Sequence, residues 1–121
     1  MLERDNMEHP IPLKWHVAFQ NMVTSFISGD FTLSHSSCDQ IAPVDPLIAQ
    51  SIADNISAYG CTLAPLNPAV WDHAVYRWMN GYWQFLIDLT TTAEPVSDLV
   101  IHARLRDDRL ARLEVQSVHV P

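Results

Sequence analysis

The sequence predicts an α+β fold in which two N-terminal helices pack on one face of a roughly five-stranded antiparallel meander. Three observations point there. Apolar residues recur every three or four positions up to about residue 60, they alternate with polar ones beyond it, and all three glycines fall at the boundaries these patterns imply. With 121 residues the chain can bury a core as a single domain, spanning 1–121, with residues 1–11 as an N-terminal extension.

The first helix is expected from Pro12 to Ser28. Proline suits a first turn because its missing N–H would have had no partner there, and Trp15, Ala18, Phe19, Met22, Val23, Phe26 and Ile27 then fall on one stripe before Gly29. The second helix carries the same punctuation: Asp45 as N-cap, Pro46 in the first turn, Ile48, Ile52, Ile56 and Tyr59 along one face, and Gly60 just beyond. Residues 30–44 between them read as an ordered connection.

Cys61 to Leu66 is expected as a short first strand, and Pro65 within it argues for a sheet edge. Asn80-Gly81 marks a two-residue hairpin between Val70–Met79 and Tyr82–Thr91. Ser97–Arg106 and Arg109–Val120 form a second hairpin around Asp107-Asp108. Alternation places Trp83, Phe85, Ile87 and Leu89, with Leu99, Ile101, Ala103 and Leu105, on the face that receives the helices. The other face displays Gln84, Asp88, Asp98, His102, Arg104, Arg106, Arg112, Glu114 and Gln116, and one of Trp71, Trp78, Tyr76 or Tyr82 is expected to approach it.

Fourteen acidic against seven basic residues give a net charge of −7 without any basic cluster, which argues against nucleic acid as a partner. No apolar run has the length of a membrane span, and residues 1–10 lack the basic start and apolar core of a signal peptide, so a cytoplasmic protein with no membrane partner is expected. The acidity is uneven. Met1–Tyr76 carries eight acids against two bases, Arg77–Pro121 six against five, and no lysine or arginine lies between Trp15 and Tyr76.

The residues that could carry chemistry do not assemble into a known signature. The six histidines show no ligand spacing, and the nearest approach, His35 and Cys38 with Cys61, falls short of a zinc site, so no metal is expected. There is no G-x-S-x-G and no glycine-rich phosphate loop, so neither a catalytic residue nor a cofactor is assigned. Asp88, Asp98 and His102 could perform acid–base work in a pocket, but strand ends and ion pairs account for them more simply.

The order of local motifs is characteristic: F-I-S-G-D-F ending the first helix, A-P-V-D-P entering the second, A-Y-G-C-T-L leaving it, then V-W-D, R-W-M-N-G-Y-W, L-I-D-L-T, S-D-L-V and V-H-V-P. Over Trp15–Pro121 this resembles a family of small, uncharacterised bacterial domains, a likeness that implies no catalytic residues. In size and acidity the chain is similar to the immunity proteins that bacteria make against their own polymorphic or contact-dependent toxins.

The leading expectation is therefore a non-catalytic binding protein, an immunity protein that occludes a cognate toxin such as a basic nuclease. A basic partner would dock on Asp30, Asp39, Asp45, Asp54 and Asp72. The alternative is a small-ligand-binding or enzymatic domain with a cone-shaped pocket of the nuclear-transport-factor type, which F-I-S-G-D-F after an N-terminal helix resembles. Tyr76, Trp78, Asp88 and His102 would line that pocket.

Overall fold

The computed structural model describes residues 2–35, 38–108 and 111–121, and among these it is α+β, with two helices and a five-stranded antiparallel sheet. Helix α1 (Leu13–Ile27) follows Pro12, and Gly29 turns the chain away at φ 89°. Its stripe from Trp15 to Phe26 is buried as the spacing requires, whereas Ile27, expected on it, is 45% exposed. Helix α2 (Pro46–Tyr59) begins with the Asp45 carboxylate accepting the Leu47 N–H at 2.8 Å and ends on Gly60 at φ 85°.

The strands are β1 (His9–Pro10), β2 (Leu63–Ala64), β3 (Val75–Trp78), β4 (Tyr82–Asp88), β5 (Thr90–Thr91), β6 (Val100–Arg106) and β7 (Leu113–His119). The five-stranded sheet has the order β1-β3-β4-β6-β7, and β2 pairs with β5 in a separate ladder. At the β3–β4 hairpin Asn80 and Gly81 both take positive φ, 57° and 139°, while the Met79 N–H reaches the Tyr82 carbonyl at 2.8 Å.

Several boundaries differ from the expected ones, each for a local reason. The expected first strand, Cys61–Leu66, contracts to the two residues before Pro65 and stays outside the main sheet; β1, from the segment expected as an extension, takes the edge position instead. The expected strand Val70–Met79 opens with a 3-10 turn, Pro68–Asp72, because the Asn67 side chain accepts the Ala69 N–H at 2.9 Å and Pro68 fills the first position. The strand Tyr82–Thr91 divides at Leu89, after which Thr90 and Thr91 turn to β2. The expected start of the last strand at Arg109 lies outside the described residues, and β7 begins at Leu113.

Phe85, at the centre of the sheet, is buried among Trp15, Phe19 and Tyr76, with ring centroids 6.0, 5.8 and 5.9 Å away. Ile87, Ile101 and Ala103 are buried beside it. α2 is tied to the far edge by the Asn55 side-chain amide, which donates to the Val118 carbonyl at 2.9 Å. Tyr59, at the end of α2, donates to Glu94 at 2.6 Å and accepts from the Asp98 N–H, fastening the loop before β6.

Candidate functional site

Two regions gather the residues that the sequence singles out. The first is the sheet face opposite Phe85. Register places side chains there in cross-strand rows: Val75, Leu86, His102 and Ser117; Arg77, Gln84, Arg104 and Glu114; Tyr82 and Arg106; Asp88, Val100 and His119. Glu114 takes both neighbouring arginines, Arg104 at 3.1 Å and Arg106 at 2.9 Å. A bulge shifts the register between His102 and Ala103, where Gln116 becomes the extra residue of β7, so Ser117 and His119 join this face beyond it.

His102 and His119 stack there with centroids 4.4 Å apart and an interplanar angle of 17°. Burial, followed by the nearby His119 charge, holds the His102 pKa below the ordinary histidine value. Its Nε2 is buried with no hydrogen-bond partner among the described residues. Ser117 Oγ lies 3.0 Å from His119 Nδ1. Asp88 is raised above the usual aspartate range, chiefly by burial; His73 opposes the shift and Asp98 adds to it. Asp88 and His102 occupy diagonal register positions, the spacing of neighbours on one face rather than of a bonded acid–base pair.

The four residues expected to line a common pocket are divided by the sheet. Tyr76 opposes Phe85 and Trp78 opposes Trp83 on the core face, while Asp88 and His102 lie on the other. Among the aromatic residues expected at the open face, Tyr82 stands there opposite Arg106. Trp78 packs on Trp83 at 4.8 Å, and Trp71 stacks on the His16 ring at 3.6 Å.

The second region is the acidic stretch. A shallow groove runs between the loop after α1 and the first half of α2, lined by Asp30, Phe31, Thr32, Pro46, Ala49 and Gln50. Asp45 adjoins it as the N-cap, and Asp54 borders it one turn beyond Gln50, whose amide donates to it at 2.9 Å. Asp30 accepts the His35 N–H and the Thr32 hydroxyl; although desolvation opposes its ionisation, these bonds hold its pKa below the ordinary value. Leu47, beside Asp45, is 83% exposed. Of the five acidic residues, Asp30 lines the groove, while Asp45 caps, and Asp54 lies on, the helix that forms its other wall. Asp39 lies in the loop that bridges to Leu113, and Asp72 ends the 3-10 turn beside Trp71, so neither is placed at this groove.

The segment before α1, expected as an extension, takes part in the fold. Leu2 and Ile11 are buried, and Arg4 reaches across the sheet end to Asp107. Leu2 precedes a charged run and Ile11 sits between two prolines, so neither carries a periodicity that reveals it.

Among the described residues no group of three or more His, Cys, Asp or Glu side chains is placed to hold a metal ion, and no helix is long and apolar enough to cross a membrane. No curated protein and no solved structure matches the chain. A family model does match, described as a domain of unknown function, DUF7668, over residues 23–121. Because that match runs from the middle of α1 to the last residue and takes in α2 and every strand but β1, the chain belongs to the DUF7668 family.

Proposed function

We propose that the chain is a non-catalytic binding protein, an immunity protein that neutralises a cognate toxin in the cytoplasm, and that a basic surface of the toxin docks on the acidic rim of α2. The observation that carries this reading is the groove between Asp30 and α2, a helix that carries Asp45 at its cap and Asp54 on its surface, within a stretch from Trp15 to Tyr76 that holds no lysine or arginine. Such a field speeds encounter with a basic partner and orients it. Exposed Leu47, in the first turn of α2, offers apolar contact area beside the Asp45 cap. A basic nuclease domain is the toxin that this charge fits best.

A ligand pocket of the nuclear-transport-factor type has less support, because Tyr76 and Trp78 are separated from Asp88 and His102 by the sheet itself. Co-expression with the product of the adjacent upstream gene tests the proposal. Binding together with protection of the cells is the expected result; failure of either overturns it.

A further inference from the structure

We infer that Tyr76, Trp78, Trp83 and Asp107 form a binding cleft for an extended peptide carrying an arginine two residues after an apolar side chain, and that the chain's own residues 2–6 fill it as an exchangeable strap. This site is separate from the acidic rim and does not depend on it.

The strap is gripped chiefly through its main chain. Its Glu3 N–H donates to Tyr76 Oη at 2.9 Å, its Glu3 carbonyl accepts from Trp83 Nε1 at 2.9 Å, and its Asn6 carbonyl accepts from Arg77 Nε at 2.8 Å. Contacts of that kind do not read the strap's sequence, so another extended chain can make them. Two side chains add selectivity. Leu2 is buried, and the Arg4 guanidinium lies 5.1 and 5.2 Å from the ring centroids of Trp78 and Trp83 while pairing with Asp107 at 2.8 Å. A planar cation between aromatic faces and a carboxylate suits arginine better than lysine.

The attachment is also weakly tied to the sheet, apart from the buried Leu2 side chain. Residues 2–8 contribute no strand to the sheet, and β1 adds only two residue pairs to β3, whereas β3, β4, β6 and β7 hold one another along longer ladders. The Arg4–Asp107 pair is nearly half open to water on both sides, so it can part without unfolding. Tyr76 and Trp83 are buried with the strap in place, so its departure exposes apolar ring surface to water, a cost that a second peptide seated in the cleft offsets.

The test uses the full chain. Arg4→Glu sets a carboxylate against Asp107 and loosens the strap, and a labelled peptide of residues 1–11 serves as the probe. The Arg4→Glu chain is expected to bind this peptide at least about tenfold more tightly than the unaltered chain, whose own strap competes. The same peptide with Arg4→Ala is expected to lose about tenfold. Equal or absent binding by an Arg4→Glu chain that keeps its near-UV circular dichroism overturns the inference. Should that variant fail to fold, hydrogen exchange on the unaltered chain decides. The Glu3 amide is expected to exchange at least about a hundredfold faster than that of Phe85 through local opening, and exchange at the same rate overturns the inference.

Discussion

Asp45 serves two purposes, and substitutions separate them. Its carboxylate accepts the Leu47 N–H at 2.8 Å as the N-cap of α2, and its charge belongs to the rim proposed to meet a basic partner. Asp45→Ala removes both. Loss of a capping acceptor costs about 1 kcal/mol, which at this chain length lowers Tm by about 3–5 °C. Asp45→Asn keeps an acceptor and discards the charge, so its cost is expected to be a few tenths of a kcal/mol. Asp45→Lys loses the cap and sets a cation against the positive end of the helix dipole, adding about 0.3–1 kcal/mol to the alanine cost. Urea unfolding followed by circular dichroism at 222 nm ranks the three. If Asp45→Asn is as destabilising as Asp45→Ala, the side-chain bond to Leu47 is not what starts the helix, and the reasoning fails.

Four further outcomes are expected. Because the folded pKa of Asp88 lies above the ordinary 3.8, stability falls as pH rises from that value through the raised one; Asp88→Asn is expected to remove this fall in pH-dependent urea melts. His102 has the opposite sign of slope. Its folded pKa lies below 6.5, so stability is lost as pH drops from 6.5 through the lowered value, and His102→Gln is expected to flatten that limb. Glu114→Ala releases Arg104 and Arg106 together, yet all three are partly exposed, so a loss below about 1 kcal/mol that shrinks with added salt is expected. Phe85→Ala opens a cavity among Trp15, Phe19 and Tyr76 and is expected to cost about 3–5 kcal/mol in a denaturant titration.

The helices were legible because their signals are local. Asp45-Pro46 at one end and Gly60 at the other fix α2 by backbone chemistry alone, and the stripe from Trp15 to Phe26 fixes the buried side of α1. The same code was present and missed at Asn67-Pro68, where it starts the 3-10 turn that displaces half of an expected strand. The β7 bulge also left a trace: buried Leu113, Val115 and Val118 break the period of two, which shows that one residue slips between the last two. The strap left none, because it is held by single long-range bonds to Tyr76, Arg77 and Trp83 rather than by a repeating pattern. At the rim, composition identified the acidic stretch. Only the folded chain sets Asp30 against α2, the helix that bears Asp45 and Asp54, because the groove is made by residues from two segments.

The central claim is that a basic partner is captured by the charge of the α2 rim. Asp54 is the residue on which to test it, since it is exposed and bonds to the neighbouring Gln50 on its own helix. The decisive measurement is the stopped-flow association rate of the chain with the product of the adjacent upstream gene, the proposed partner, for the unaltered protein and for Asp54→Lys combined with Asp45→Asn, at low and high salt. The account predicts a rate lower by about tenfold at low salt and a difference that vanishes at high salt. Equal rates and equal salt dependence for the two proteins would contradict it.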